Sequence, residues 1–475
     1  MTDGNGLTRR QLLASGAGTG AAALGASSLL ETLAQAAKPS HHGLGAIEHI
    51  VVFMQENRSF DSYFGTLGGV RGFEDKHARK LSTGHDVFHQ PDPLNPNEYE
   101  LPFHLNSSQT SAQCVADLSH AWDVQHAAWN GGRMDNWLPA HRAADGTTNG
   151  PLTMGYYTRA DIPFHYALAD TFTICDGYHC SVMGPTNPNR LYLWSGTIDP
   201  DGKHGGPVID NSETPPYTWT TYPERLQRAG VSWRIYQEAD NYDDNALAWF
   251  QRFQQAPKSS PLYANGLTKR GASAFADDVA SGHLPQVSWI IAPTAQSEHP
   301  TFTPAAGAEL THSYLHALAR HPKVWAKTVF LLTWDENDGF FDHVPPPTAP
   351  KGTPGEYVGG LPIGLGFRVP MVVISPWSVG GFVCSQTFDH TSVIRLIERR
   401  FGVHEPNISR WRRRTCGDLT ATLGLGGQPH RFPRLPNPNG SAHRAAHQCT
   451  TLPAPTVPRH QKLPKQEAGT RPRRG

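Results

Sequence analysis

The chain has 475 residues, its 41 basic and 41 acidic side chains balance to a formal net charge of zero, and 38% of residues are hydrophobic against 17% charged. That length supports a large core, folded as one big α/β domain or as two, and a zero net charge gives no overall field to favour a nucleic acid. With 40 prolines, 46 glycines and 12 tryptophans, the composition is that of a folded protein whose long, turn-rich loops carry aromatic surface.

The first 37 residues stand apart from the fold. Thr8-Arg9-Arg10-Gln11-Leu12-Leu13 places twin arginines before a small-residue apolar stretch, Ala14 to Leu30, and Ala34-Gln35-Ala36 offers a small-x-small cleavage site. This is the layout of a twin-arginine export signal, which implies the twin-arginine translocation machinery as a partner and a periplasmic or extracellular destination. The competing reading is an ordinary first helix with a basic cap. The stretch is marginal for crossing a bilayer and no later segment has the apolar length, so a soluble mature protein is expected.

Ile47 to Gln55 reads as a buried strand ending on Glu56-Asn57-Arg58. Residues 68 to 115 are polar and rich in proline, which predicts long loops. Helical patterns follow at Ala121 to Leu138 and Phe164 to Phe172, the latter leading through Thr173-Ile174-Cys175 to the loop Gly184-Pro185-Thr186-Asn187-Pro188-Asn189-Arg190. Thr186 is expected where that loop enters a helix. Val231 to Tyr236 and Gln286 to Ala292 are strand candidates, and the polar, helical residues 240–284 between them form a lid or subdomain. Glu309 to Arg320 reads as helix, Thr328 to Trp334 as the clearest strand, ending on Asp335-Glu336, and Val369 to Ser375 as the last core strand. Thr391 to Phe401 is a helix capped by Asp389 or Thr391. Strands alternating with helices predict an α/β sheet covered on both faces, with ligand groups beyond its carboxyl ends.

The catalytic domain is therefore placed at 38–425. From 426 to 475 the pattern dissolves: between Arg431 and the end, nine Lys or Arg face one acid, Glu467, among frequent prolines. That segment reads as a mobile basic tail, either solubilising or drawn transiently to an anionic membrane surface. Of the six cysteines, Cys175 with Cys180 and Cys416 with Cys449 are the pairings considered, and the sequence leaves both open. None has metal-ligand spacing, so a metal site would be rich in oxygen.

Two buried strands end in acidic clusters, Glu56-Asn57 and Asp335-Glu336. Carboxylates converging in one crevice repel unless a cation or proton lies between them, and a hard divalent metal meets that need. The competing reading makes them helix caps and solvated loop acids. Thr186, in a loop constrained by Gly184 and Pro185, is the nucleophile candidate; a plain N-cap threonine is the alternative. Arg190 would hold the loop by salt bridge or reach a phosphate. His299, in the loop Ser297-Glu298-His299-Pro300, would protonate a leaving group. His120, His126 and Asp123 lie together on a Trp-rich segment.

The stretches Glu56-Asn57-Arg58-Ser59-Phe60-Asp61, His120-Ala121-Trp122, Asn130-Gly131-Gly132-Arg133-Met134-Asp135, Cys180 to Arg190, Ser297 to Pro300, Trp334 to Pro345 and Phe388 to Ser392 together span residues 46 to about 424. In number and order they closely resemble a bacterial phosphoesterase family that contains phosphatidylcholine-hydrolysing phospholipases C and a related acid phosphatase, a branch of the alkaline phosphatase superfamily. The resemblance implies an alkaline-phosphatase-like sandwich with a mostly parallel central sheet, helices on both faces and long active-site loops. It implies Glu56, Asn57, Thr186, Asp335 and Glu336 as ligands of a divalent metal, Thr186 as nucleophile, His299 as the phosphate-contacting acid and His120 as a further pocket histidine. His126 is the alternative to His120. A second pocket histidine of the acid phosphatase has no counterpart here, and Gln237-Glu238 stand nearest its place; Asn337 occupies a position that is His in many phospholipase-type members. The expected activity is phospholipase C hydrolysis of a phosphatidylcholine-like phosphodiester through a phosphothreonine, with Trp122, Trp129, Tyr178 and Trp289 offering ring faces to choline. The alternatives are a broad acid phosphatase or other phosphodiesterase acting on small phosphate esters at the same centre, and an exported binding protein.

Overall fold

A computed structural model describes residues 43–475 apart from 96 and 213–215. The export segment expected over residues 1–37 lies outside the described residues. Gly43–Ala46 form a single 3-10 turn, and Ile47–Gly475 make one compact unit.

The unit is built on an eight-stranded sheet. Its strands are β1 (His49–Gln55), β2 (Thr173–Cys175), β3 (Trp233–Tyr236), β4 (Val287–Ile290), β5 (Thr328–Trp334), β6 (Met371–Ile374), β7 (Val383–Cys384) and β8 (Arg473–Arg474), in the spatial order β8-β7-β2-β6-β5-β1-β4-β3. All pairings are parallel except those of β6, which runs antiparallel to both β5 and β2. The apolar runs HIVVFMQ and TVFLLTW explain the centre. Every residue of β5 and all but the first of β1 are buried, which requires cover on both faces. On one face Phe53 meets Tyr314 of helix α2 (Pro304–Arg320) edge-on at 5.6 Å.

Register positions the site. β1 and β5 are parallel neighbours with Gln55 opposite Trp334, so the acids that follow, Glu56 and Asp335, emerge side by side at the carboxyl edge. Residues 240–284 connect β3 to its parallel neighbour β4 as short helical turns whose Leu247, Phe253 and Phe275 are buried. They belong to the same compact unit rather than a separate one. Helix α1 (Thr186–Ser195) begins at the expected threonine, and helix α3 (His390–Phe401) is capped by Asp389, whose side chain accepts the Thr391 N–H.

Two expectations are corrected. Residues 426–475 are not a mobile tail. Helix α4 (Ser441–Thr451) is tied by a Cys114–Cys449 disulfide, Glu467 pairs with Arg159 at 2.7 Å, Arg471 pairs with Asp170, and β8 extends the sheet beside β7. Docking here uses charge pairs, a crosslink and two sheet residues, none of which leaves an apolar run to be read. The cysteine pairings considered from sequence do not form either: Cys175, Cys180 and Cys416 are buried free thiols, and Cys449 joins a residue 335 positions away.

Candidate active site

Glu56, Asn57, Asp335 and Glu336 are fully or almost fully buried. Asn57 adopts φ 45°, in the left-handed region that Asn tolerates, and its backbone N–H donates to Asp335 Oδ1 at 3.1 Å. That bond ties the two strand ends together. The Glu336 N–H also donates to Asp335 Oδ1, at 2.8 Å. From α3, His390 lies with Nε2 2.6 Å from the Asp335 carbonyl while the Tyr178 hydroxyl meets its Nδ1 at 3.0 Å. Burial pushes His390 down to about 4, so it buttresses the strand end as a neutral ring.

Thr186 is the first residue of α1, and Pro185 occupies the capping position without a side-chain bond. The threonine hydroxyl is therefore free of capping duty. It lies 3.4 Å from Glu56 Oε2. The loop before it is fixed by Asn189, whose Oδ1 accepts the N–H groups of Ser181 and Val182 at 2.9 Å and whose Nδ2 donates to the carbonyls of Gly184 and Pro185. One residue on, buried Arg190 donates to Glu56 Oε1 and lies 2.9 Å from Asp244 and 3.5 Å from Asp335. Of the two roles considered for Arg190, the structure shows the salt bridge.

The electrostatics are one-sided. Glu56, Asp335, Glu336, Asp338 and Asp244 gather around Arg190 and the imidazole of His120. Burial, then the charge of Glu56, pushes Asp335 well above the carboxylate range. Burial does the same to Glu336, with His120 pulling back. Burial works against ionised Glu56 too, yet Arg190 and then His299 hold it below the ordinary value. Asn57 Oδ1, Asp335 Oδ2 and Glu336 Oε1 are buried acceptors with no hydrogen-bond donor. A buried acceptor without a donor costs free energy, and three together in a nest of acids fit a hard divalent cation. Glu56, Asn57, Thr186, Asp335 and Glu336 are the residues that would hold it.

The histidines divide. His120 Nδ1 lies 2.9 Å from the Leu118 carbonyl, 3.3 Å from Asp338 and 3.9 Å from Glu336. Burial alone would lower its pKa, but Glu336 and Asp338 carry it well above the usual value. His299 has Nδ1 2.8 Å from the Pro300 carbonyl, which leaves Nε2 on the pocket side, 3.8 Å from half-exposed Asp117. The two rings stand edge-on to one another, 6.5 Å between centres. His126 does not join them: both of its nitrogens lie against backbone carbonyls, of Trp122 and Pro362. Burial depresses it, and its task is packing.

Gln237 and Glu238 also lie away from the reacting centre. The Gln237 amide oxygen accepts from Asn241 and Asn245, bracing the loop that delivers Asp244, and Glu238 lines a small depression with Phe275 and Tyr314. Tyr178 and Trp289 are fully buried, leaving Trp122 and Trp129 half-buried, with Trp122 packed on His126. Asp244, Asp338 and Asp117 are site residues that sequence reasoning missed. Asp338 was legible, three residues after Asp335 in the same acidic motif. Asp244 and Asp117 sit in polar loops with no local signal.

A buried hydroxyl beside acids that lack donors, at the carboxyl edge of a mostly parallel sheet, is an arrangement suited to ester hydrolysis. A family model described as the Phosphoesterase family matches residues 47–404, and the chain belongs to that family. It is 49% identical over 501 residues to a non-hemolytic phospholipase C of Pseudomonas aeruginosa, covering 98% of this chain and 70% of that protein. It is 46% identical to a non-hemolytic phospholipase C of Burkholderia pseudomallei (99% and 72% covered), and 42% identical to phospholipase C B of Mycobacterium tuberculosis (99% and 98% covered). A protein of the alkaline phosphatase superfamily from Vibrio parahaemolyticus overlays with a TM-score of 0.35 at 10% identity, covering 79% of this chain and 70% of that one.

Proposed function

We propose that this chain is an exported, metal-dependent phospholipase C that cleaves phosphatidylcholine-like diesters to diacylglycerol and a phospho-headgroup through a phosphothreonine at Thr186. The observation that carries the reading is the Thr186 hydroxyl, unused as a cap and 3.4 Å from Glu56 among acceptors that lack donors. The names of the relatives support the choice of substrate, and the motif at Arg9-Arg10 supports export.

Glu56, Asn57, Thr186, Asp335 and Glu336 would hold a divalent cation, which would supply positive charge to favour the ionised hydroxyl and to polarise a phosphoryl oxygen. The ionised Thr186 Oγ1 attacks phosphorus and the bond to the diacylglycerol oxygen breaks, with protonated His299 giving its Nε2 proton to that oxygen. Water then attacks phosphorus, its proton returning to His299, and Thr186 is released. Arg190 keeps Glu56 ionised and in place. His120, protonated against Asp338 and Glu336, presents positive charge to the phosphate side of the pocket.

Thr186→Ala tests the step directly. The variant is expected to fold, because Pro185 holds the capping position, and to lose roughly 10³-fold or more in kcat, while Thr186→Ser keeps substantial activity. Acid quench and intact mass should place a phosphoryl adduct on Thr186; an adduct elsewhere, or comparable turnover by the alanine variant, sinks the mechanism. Headgroup-resolved assays separate the diesterase from an acid phosphatase, since a preference for small monoesters without diacylglycerol release excludes the lipase reading. For export, an Arg9→Lys/Arg10→Lys variant should stay in the cytoplasm, and its normal secretion would refute the signal.

A further inference from the structure

Glu298, one residue before His299, is completely buried and holds φ 68°, a left-handed conformation that costs strain in a residue with a full side chain. The surroundings over-determine it. Its carboxylate meets the Tyr63 hydroxyl at 2.7 Å, His165 Nε2 at 3.0 Å, Trp334 Nε1 at 3.2 Å and Gln55 Nε2 at 3.5 Å. Its carbonyl accepts from Arg58 Nε at 3.0 Å and Nη2 at 2.7 Å. Gly307 leaves room for this side chain, since a Cβ there would come within 2.2 Å of Glu298 Cγ.

The identity of these donors is the telling point. Gln55 precedes Glu56, Arg58 follows Asn57, and Trp334 precedes Asp335. Gln55 and Trp334 end their strands opposite each other, so the side chains that hold Glu298 immediately precede the acids of the site, and Arg58 holds it from just beyond them. Glu298 thus joins the two strand ends carrying the acids to the loop carrying His299.

We propose that Glu298 is a positioning residue that fixes His299 in register with Thr186 and the ligand set, and so governs protonation of the leaving alcohol. This rests on His299 being the acid in the proposed function. A displacement of about 1 Å at such a group costs about 10²-fold in rate, and only where the leaving group needs the proton.

The test compares a diester with an alkyl leaving group and one with a nitrophenolate leaving group, which departs unprotonated. Glu298→Gln should lower kcat for the alkyl ester by about 10²-fold with KM nearly constant, and change the nitrophenyl ester by less than about threefold. Metal content should stay at the wild-type level. His299→Asn should show the same split, and the double variant should be no slower than His299→Asn alone. Tyr63→Phe, which removes one donor, should show a weaker split of the same sign and decides the matter if Glu298→Gln does not fold. Equal loss on both esters, no loss on either, or additive losses in the double variant would overturn the inference. Absence of diester hydrolysis by the wild type would instead overturn the functional reading beneath it.

Discussion

Among the described residues, two of the buried acid clusters are treated in opposite ways. Around Arg368, Asp342 and Asp61 are met by the guanidinium at 2.8 and 2.9 Å, and His343 Nδ1 lies 2.6 Å from the second oxygen of Asp61. Burial acts to lower the His343 pKa, but Asp61 and Asp75 raise it, so Arg368 and His343 set positive charge against the acids packed on them. Asp61, Asp342 and His343 have the spacing of a metal site, yet Arg368 fills the place a metal would take. At the active site the same kind of burial is left unfinished. Arg190 and His120 face five carboxylates, and Asn57 Oδ1, Asp335 Oδ2 and Glu336 Oε1 have no donor. A chain that completes one buried network and leaves another short of positive charge marks the second for a ligand.

Glu100 shows a third solution. It is buried, both of its oxygens lack hydrogen-bond partners, and Arg142 comes no closer than 4.0 Å. Burial, then Asp92, pushes its carboxyl up to about 8, so a proton serves here where Arg368 serves the first cluster.

The largest effect is expected at the active site, where Asp335→Asn should leave a folded protein with depleted metal and a kcat lower by about 10²–10³-fold, the scale of losing one electrostatic stabiliser. Elemental analysis of the purified variant checks it; full occupancy with a normal rate would make Asp335 an ordinary strand-end acid. Arg368→Met should do the reverse, costing about 3–5 kcal/mol of stability by stranding Asp61 and Asp342. Denaturant titration reads that loss, and retention of bound metal distinguishes it from damage at the active site. The smallest effect is pH-dependent. Glu100 has a folded pKa of about 8, above its ordinary value of 4.5, so its contribution is fully present below 4.5 and drains as pH rises through about 8. Glu100→Gln should flatten the decline in stability between pH 5 and 9. Parallel melting curves for the two proteins across that range would contradict the protonated assignment.

Local pattern carried far into this molecule. The runs IEHIVVFMQ and TVFLLTW have too few polar residues to be anything but central strands, and their ends on Glu56 and Asp335 followed from chain order alone. The Gly184-Pro185 turn placed Thr186 at a helix start for equally local reasons, and Asp389 announced the helix it caps. What the sequence determined by itself was therefore the strand ends, the hydroxyl and the acidic pairs. Tertiary structure decided the rest: that His120 rather than His126 turns to the pocket, that Gln237 braces a loop from which Asp244 reaches Arg190, that Cys449 pairs with Cys114, and that a basic tail docks. Each depends on which distant groups become neighbours, as when Pro362 claims His126 from 236 positions away or Cys114 meets Cys449 across 335. Hydrophobic periodicity records which face of an element is buried, but a polar side chain finds its partner only once the packed sheet has brought the two together.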